Sequence, residues 1–199
     1  MIIGLDFDNT LVIYDELFAK VAKEQGVGNN EALNDKITIR NYLRSINQEE
    51  LFTKIQGEVY GKRITEARAA KNMVNTLITL NQRGIKLKII SHKTKTPYKG
   101  PRYDLHESAW KWIKENLKDQ DGRQLFSEND VYFEETKEKK VARIRDCKCT
   151  HYIDDLPEIL EMIDEKIVKV LYCPKNRGEK HGMKVMSDWT QLQKILDDA

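Results

Sequence analysis

The chain has 199 residues, with 34 basic and 32 acidic side chains and a formal net charge of +2. This balance argues against a dedicated nucleic-acid binder, which carries a concentrated basic excess, and no apolar stretch approaches the roughly 20 residues that cross a bilayer. Three cysteines and an amino terminus without the features of a secretory signal lead us to expect a cytoplasmic protein, and the length suits one core domain with a modest insertion.

The first predicted element is a short buried strand in the apolar run Ile2–Phe7. Alternate side chains of a strand share a face, so Asp6 and Asp8 point the same way from its end. Burying a carboxylate is costly unless it is paired or bound to a metal, and two close carboxylates raise each other's pKa. The pair therefore predicts a cation and a reaction at this end of the strand.

The next fifty residues have the periodicity of helices rather than strands. Apolar side chains recur at helical spacing in three segments, namely 14–25, 31–46 and 48–60. We therefore predict that residues 14–64 form a helical insertion, and that residues 1–13 and 65–199 form the core domain.

From Thr65 the pattern changes to that of an α/β domain. An apolar stripe that includes Ala69 and Met73 predicts a helix, and Gly84 is placed to end it as a carboxyl-terminal cap. A buried strand at 85–90 follows at once. A helix, a tight turn and a buried strand indicate a βαβ crossover, which is right-handed almost without exception.

The rest of the chain alternates between strands and helices. Ser91–Arg102 is predicted to be a polar loop, and Asp104 begins a capping-box-like helix start. Further strands are predicted at 131–133, 152–153 and 167–172, and further helices at 141–144, 156–163 and 188–196, the last with Ser187 as its candidate N-cap. Such alternation predicts a parallel sheet with helices on both faces, and ligands bind beyond the carboxyl ends of its strands, where Asp6, Ser91 and Asp154 lie.

Four segments resemble, in order, the motifs of the haloacid dehalogenase (HAD) superfamily phosphatases. They are Asp6-Phe7-Asp8-Asn9-Thr10-Leu11, the strand that ends in Ser91, the segment 134–140 that contains Lys137, and the strand that ends in Asp154-Asp155. One motif alone is only moderately specific, but all four in the family's order argue against coincidence. Asn9 stands where these phosphatases commonly have Gly, and Asn tolerates unusual backbone angles better than most residues. The resemblance implies a Rossmann-like, three-layer parallel-sheet core with a small α-helical cap inserted after the first strand.

The resemblance also implies roles for the motif residues. Asp6 would be the nucleophile that forms an aspartyl-phosphate, and Asp8 would be the general acid and then the general base. Ser91 would hold the phosphoryl oxygens. Lys137, at the start of a helix, would neutralise charge on the phosphoryl group; Lys140 shares its helix face and is the alternative.

A magnesium site is the cofactor that the resemblance implies. Mg²⁺ would be held by the Asp6 carboxylate, the Asp8 backbone carbonyl and Asp154, and Asp155 would orient Asp154 or a metal-bound water. A hard, oxygen-only site with waters suits this ion. Asp8 favours phosphate chemistry over carbon–halogen cleavage, because the dehalogenases of the superfamily lack that second aspartate.

The remaining candidate residues concern the substrate. Thr10, and His92 and Lys93 in the loop that starts at the phosphate site, are candidate substrate-binding residues, although a solvated loop is an equal alternative for the latter two. Caps in the family select small diffusible substrates. We therefore expect a small phosphorylated metabolite, either a sugar phosphate or a nucleoside monophosphate, and no nucleic-acid or membrane partner.

Several alternatives remain open at this stage. The same covalent intermediate would serve a phosphotransferase or mutase, a phosphatase could act on protein or nucleic-acid ends, and the fold could belong to a non-catalytic binding protein. Cys147, Cys149 and His151, with Cys173, also resemble a zinc ligand cluster. Zinc normally takes four ligands on a defined frame, so small buried thiols are the default expectation.

Overall fold

The computed structural model describes residues 1–28, 32–175 and 182–198. Contacts divide the chain into two compact units. Unit 1 comprises Met1–Val12, Ala69–Lys93 and Asn116–Ala199, and unit 2 comprises Ile13–Arg68 and Thr94–Glu115. Unit 2 thus contains the predicted insertion, 14–64, together with a second segment from farther along the chain.

A six-stranded parallel sheet forms the frame of unit 1. The strands of the chain are β1 Ile2–Leu5, β2 Val12–Ile13, β3 Arg68–Ala69, β4 Lys86–His92, β5 Val131–Glu134, β6 His151–Asp154, β7 Val168–Tyr172 and β8 Lys184–Met186. The large sheet has the order β5-β4-β1-β6-β7-β8 with parallel pairing, and β2 and β3 pair separately. The chain therefore builds the sheet in one direction from β1 and then in the other, so β1 lies at the switch point.

Helices connect these strands. They are α1 Asp15–Glu24, α2 Lys36–Ser45, α3 Glu49–Tyr60, α4 Met73–Gln82, α5 Leu105–Asn116, α6 Lys137–Asp146, α7 Pro157–Met162 and α8 Leu192–Asp197. The predicted α/β core, a parallel Rossmann-like sheet flanked by helices, is confirmed. In the part of the chain that the structure describes, no helix is both long enough and apolar enough to span a membrane.

Two predicted caps are confirmed by the backbone. Gly84 has φ +74° just after α4, a conformation that glycine adopts without strain. Asp104 precedes α5, and its Oδ1 accepts hydrogen bonds from His106 N at 3.0 Å and Glu107 N at 2.9 Å. These bonds satisfy amide groups that have no partner within the helix itself.

Other boundaries differ from the prediction. Ala69 lies in β3 rather than in the helix, which begins at Met73 after Asn72 has turned the chain with φ +63°. The sequence analysis missed β8, a strand of three residues at the edge of the sheet. A segment this short contains too few apolar residues to show strand periodicity.

The polar loop and the last helix also begin later than predicted. β4 continues through Ser91 to His92 because its pairing with β5 continues to that point. At the carboxyl terminus the N-cap is Asp188 rather than Ser187: Asp188 Oδ1 accepts a hydrogen bond from Thr190 N at 2.9 Å, and a short 3₁₀ turn precedes α8.

Close packing between the central strands determines where their carboxyl ends lie. A Cβ atom on Gly4 would lie 2.6 Å from Cδ2 of Tyr152, so the ring of Tyr152 packs directly against the backbone of β1. Tyr152 is fully buried, and its hydroxyl donates to the carbonyl oxygen of Ile90 at 2.5 Å. One side chain of β6 therefore contacts the backbones of both β1 and β4.

Unit 2 holds its two chain segments together by aromatic packing and hydrogen bonding. Trp112 is fully buried and donates from Nε1 to the carbonyl oxygen of Ala67 at 2.8 Å. Gly61 packs against Tyr103 so closely that a Cβ atom there would lie 2.6 Å from the tyrosine Cβ. Both contacts join Thr94–Glu115 to the insertion.

Unit 2 also contains an ion-pair group, which we call the Arg63 cluster. It consists of Arg63, Glu24, Glu58 and Glu66. The arginine side chain is only 12% exposed, whereas those of Glu24 and Glu66 are 48% and 39% exposed. The carboxylates of Glu24 and Glu66 therefore face water, whereas the Glu58 side chain is 24% exposed.

Candidate active site

The first motif forms a tight turn beyond β1. Asp6 N donates to the carbonyl oxygen of Ile153 at 2.9 Å, which extends the pairing of β1 with β6 by one step. Leu11 N then donates to the carbonyl oxygen of Phe7 at 3.0 Å and closes the turn. Asn9 has φ +60°, in the left-handed region. Asn reaches this region more readily than most residues, so the departure from Gly at this position is compatible with the turn.

Asp6 is buried and held by three side chains. Its Oδ1 accepts hydrogen bonds from Ser91 Oγ at 2.9 Å and Lys140 Nζ at 2.6 Å. Its Oδ2 accepts a longer bond, 3.4 Å, from Thr10 Oγ1. Ser91 comes from β4 and Lys140 from α6, so distant parts of the chain fix one carboxylate at the end of β1.

Lys140 binds a second carboxylate from the neighbouring strand. Its Nζ donates to Asp154 Oδ2 at 2.7 Å, and both side chains are almost completely buried. The other oxygen of Asp154 accepts a hydrogen bond from Leu156 N at 2.9 Å. Asp6 and Asp154, which lie beyond β1 and at the end of β6, are therefore joined through one ammonium group.

Asp155 completes a group of three carboxylates. One oxygen from each of Asp6, Asp154 and Asp155 lies within 4.8 Å of the others. We call these three residues and Lys140 the Lys140 cluster. If all are ionised, three negative charges face one positive charge in a site that is largely excluded from water.

The pKa values reflect this imbalance. Burial and the charge of Asp6 raise the pKa of Asp154 to about 7, and the attraction of Lys140 only partly opposes them. The pKa of Asp155 is raised well above its usual range by burial and by the two neighbouring aspartates. Burial lowers the pKa of Lys140, but Asp6 and Asp154 outweigh this effect and raise it. Hard oxygen donors with excess negative charge fit a divalent cation such as Mg²⁺.

Asp8 has a lysine partner of its own, which the sequence analysis did not foresee. Lys93 Nζ donates to Asp8 Oδ1 at 2.8 Å and to Oδ2 at 2.9 Å. The Lys93 side chain is 2% exposed and that of Asp8 is 21% exposed. The sequence contains a weak signal for this contact. Asp8 lies two residues after Asp6 and Lys93 two residues after Ser91, and the strands that precede them, β1 and β4, are neighbours in the sheet.

The lysine that contacts the site carboxylates is Lys140, so the choice of Lys137 as the third-motif lysine is corrected. Lys137 Nζ pairs with Glu158 Oε1 at 2.7 Å, and its side chain is 38% exposed. α6 begins at Lys137 after its N-cap, Thr136, whose Oγ1 accepts from Lys139 N at 3.2 Å. The first turn thus leaves Lys137 at the surface, and the residue one turn later is the one that faces the sheet.

The other predicted residues lie near the site in different ways. Thr10 is fully buried against Asp6, whereas His92 Nε2 lies 3.2 Å from the carbonyl oxygen of Glu135. Within the described ranges, Asp6, Asp154 and Asp155 form the one group of Asp, Glu, His or Cys side chains that are close enough together to hold a metal. Cys147, Cys149 and His151 do not form a second group of this kind. Cys149 is buried in the core, where burial raises the pKa of its thiol to about 12.

No protein-family model matches the sequence, and no curated protein matches it significantly. Solved structures do match it. This chain has the fold of the HAD-superfamily hydrolases. The HAD-hydrolase YfnB from Bacillus subtilis, determined with bound magnesium, superposes with a TM-score of 0.62 at 12% identity and covers 98% of each chain.

Two further structures of this fold come from proteins with different described reactions. A β-phosphoglucomutase from Pyrococcus sp. strain ST 04 has a TM-score of 0.57 at 16% identity and covers 100% of both chains. A predicted phosphoglycolate phosphatase from Haemophilus somnus 129pt has a TM-score of 0.56 at 14% identity, covering 98% of this chain and 97% of its own. Likeness at such identities concerns the fold, so the reaction has to be argued from the site.

Proposed function

We propose that this chain is a magnesium-dependent phosphatase that hydrolyses the phosphate monoester of a small metabolite through a phosphorylated Asp6. The observation that best supports the proposal is the Lys140 cluster at the carboxyl end of the sheet. It combines one carboxylate that is oriented by a hydroxyl and an ammonium group with two more carboxylates in metal-binding range. Phosphoryl transfer needs this combination of positioning and charge neutralisation.

The proposed reaction has two halves. In the first, an oxygen of Asp6 bonds to phosphorus while the bond from phosphorus to the leaving oxygen breaks, and Asp8 gives that oxygen a proton. In the second, water attacks phosphorus, Asp8 takes the proton from the water, and the bond between phosphorus and Asp6 breaks. The products are the dephosphorylated alcohol, inorganic phosphate and the original carboxylate. Ser91 would hold the phosphoryl oxygens and Lys140 would neutralise their charge, since both side chains lie against Asp6.

The residues that would hold Mg²⁺ are Asp6, Asp154 and the backbone carbonyl of Asp8, with Asp155 orienting Asp154 or a metal-bound water. The bound ion would neutralise charge on the phosphoryl oxygens and on the crowded carboxylates. The donor chemistry supports this proposal, since the group consists only of carboxylate oxygens. A magnesium-bound structure with the same fold, YfnB, is consistent with it.

The proposed substrate is a sugar phosphate or a nucleoside monophosphate, and we propose that the helical unit 2 selects it. Unit 2 contains the insertion that follows the first motif, which is where the family's caps lie. We place the reaction in the cytoplasm. Among the described residues, Cys147 and Cys149 form no disulfide, as is usual in a reducing compartment.

A second candidate is a phosphotransferase or mutase that uses the same phosphorylated Asp6. The observation that favours it is the fold shared with a β-phosphoglucomutase along the whole of both chains. The two candidates differ in the acceptor of the phosphoryl group, which is water for the phosphatase and a substrate hydroxyl for the mutase. Transfer between sugar phosphates without release of inorganic phosphate would select the mutase.

The test is phosphate release from a panel of sugar phosphates and nucleotides, with Mg²⁺ and with EDTA. We expect Mg²⁺-dependent release from a few compounds, and we expect Asp6→Asn to abolish it while the protein stays folded. Asp121→Asn is the matched control, because the Asp121 side chain is 67% exposed and pairs with Arg123 at the surface. Appreciable turnover by Asp6→Asn would exclude Asp6 as the nucleophile. A folded wild type that binds Mg²⁺ but releases no phosphate would contradict the phosphatase assignment.

A further inference from the structure

Each carboxylate of the first motif accepts a hydrogen bond from a side chain at the end of β4, the neighbouring strand. Asp6 and Asp8 are two residues apart beyond β1, and Ser91 and Lys93 are two residues apart at the end of β4, which pairs with β1 in parallel. Ser91 Oγ donates to Asp6 at 2.9 Å, and Lys93 Nζ donates to Asp8 at 2.8 Å. The two contacts therefore follow the same order along both segments, Ser91 with Asp6 and Lys93 with Asp8.

The position of Lys93 is determined by several contacts. Its backbone N donates to the carbonyl oxygen of Glu134 at 2.8 Å, which continues the pairing of β4 with β5 by one residue. Its ammonium lies 5.4 Å from the centre of the Phe7 ring and bonds to both oxygens of Asp8. A buried ammonium is costly unless it is paired, so the contact with Asp8 stabilises the buried position of Lys93.

The two buried lysines divide the carboxylates between them. Lys140 binds Asp6 and Asp154, and Lys93 binds Asp8 through both of its oxygens. Among the described residues, the group in metal-binding range contains Asp6, Asp154 and Asp155 but not Asp8. The carboxylate of Asp8 is thus paired with Lys93 and lies outside the group that would hold the cation.

We propose that Lys93 is a positioning residue that holds the Asp8 carboxylate in place to take the proton from the attacking water. The inference rests on the proposed function and deepens it. It also replaces the expectation that Lys93 binds the substrate. Both oxygens of Asp8 accept hydrogen bonds from the Lys93 ammonium, so Lys93 fixes the orientation of the carboxylate that acts on the water.

The experiment is a double-mutant cycle with wild type, Asp8→Asn, Lys93→Met and the double variant, assayed with Mg²⁺ on p-nitrophenyl phosphate and on the best metabolite ester. The p-nitrophenolate group leaves without a proton, so its release reports the first half separately. For Lys93→Met we expect a burst of one p-nitrophenolate per chain, then turnover lowered about 100-fold, since general acid–base catalysis contributes 10²–10⁴-fold. KM should fall together with kcat, so that kcat/KM changes little, because slow hydrolysis lets the phosphorylated enzyme accumulate. The double variant should be no slower than Asp8→Asn, because Lys93 acts through Asp8.

Two further variants complete the design. Lys93→Arg keeps a cation and should recover part of the loss, whereas Lys139→Met, an exposed lysine of the same unit, should match the wild type. If Lys93→Met does not fold, comparing the turnover of Asp8→Asn with that of the double variant still tests the role of Lys93. The double variant lacks both charges of the ion pair, so it leaves neither charge buried without its partner.

Three results would overturn the inference while leaving the phosphatase assignment intact. These are a raised KM with unchanged kcat, losses that multiply in the double variant, and a uniform loss with no burst. In contrast, a wild type that releases no phosphate from either ester would contradict the proposed function itself, and the role of Lys93 with it.

Discussion

The Arg63 cluster of unit 2 and the Lys140 cluster of unit 1 each gather three carboxylates around one cation that is largely buried, and in the Arg63 cluster the exposed Lys20 also pairs with Glu66 at 2.7 Å. Two of their ion pairs also have similar lengths: Arg63 lies 2.6 Å from Glu66, and Lys140 lies 2.7 Å from Asp154. Nevertheless, the pKa values move in opposite directions. Hydrogen bonds from Arg63 and Lys20 lower the pKa of Glu66 to about 2, whereas burial raises the pKa of Asp154 to about 7.

Exposure to water explains the difference. The side chain of Glu66 is 39% exposed and that of Asp154 is completely buried. Water solvates the excess charge of the Arg63 cluster, but the Lys140 cluster has to retain its excess charge in a medium of low polarity. Neither the number of charges nor the contact distance therefore identifies a functional site. The buried, unbalanced cluster is the one that a divalent cation would complete.

Removing the ammonium group of Lys140 from the buried cluster should have the largest effect on stability and activity. In Lys140→Met, Asp6 and Asp154 would be buried without their partner, so we expect the free energy of unfolding to fall by about 3–5 kcal/mol and phosphate release by about 100-fold or more. Lys137→Met should change stability by less than about 1 kcal/mol, because its pair with Glu158 is exposed. Chemical denaturation and steady-state assays measure both quantities. The opposite ranking would restore Lys137 as the site lysine.

The free energy of unfolding should change with pH in opposite directions for the two clusters. The pKa of Asp154 rises from 3.8 to about 7 on folding, so the folded state binds more protons between these values. Without metal, the free energy of unfolding should therefore fall as pH rises from about 4 to about 7, by on the order of a few kcal/mol. Asp154→Asn should reduce this slope, and the slope that remains is the contribution of Asp155, whose pKa is also raised by burial. A wild type and variant with parallel pH profiles in EDTA would contradict the raised pKa.

Magnesium should stabilise the protein through the buried cluster. At 100 times its dissociation constant, a ligand that binds only the folded state adds about 2.7 kcal/mol to the free energy of unfolding. We expect Mg²⁺ to raise the unfolding temperature of the wild type at constant ionic strength, and Asp154→Asn to lose most of this effect. Glu66→Gln is the matched control and should respond as the wild type does. An equal response of all three proteins would place the cation elsewhere.

Breaking the exposed cluster should have the smallest effect. In Arg63→Met the glutamates stay solvated, and we expect a loss of about 1 kcal/mol at pH 7. Since folding lowers the pKa of Glu66 from 4.5 to about 2, its contribution is present above about pH 4.5 and disappears as pH falls towards 2. The difference between wild type and variant should therefore shrink in acid. A difference that grows in acid would contradict this interpretation.

Local patterns were sufficient to predict the frame of the site. Strand alternation placed Asp6 and Asp8 on one face, and alternating elements predicted that Asp6, Ser91 and Asp154 would meet at the carboxyl ends of parallel strands. The structure brings these three residues together around Lys140. The prediction succeeded here because periodicity and strand order depend on neighbouring residues, which a sequence displays directly.

The sequence by itself thus determined the α/β class and the edge of the sheet at which the carboxylates gather. Only the tertiary structure decided that Lys140 rather than Lys137 contacts Asp6, and that Lys93 binds Asp8. It also decided that Thr94–Glu115 belongs with unit 2. These outcomes depend on which turn of a helix reaches the site and on contacts between residues far apart in the chain, and neither is encoded in the spacing of neighbouring residues.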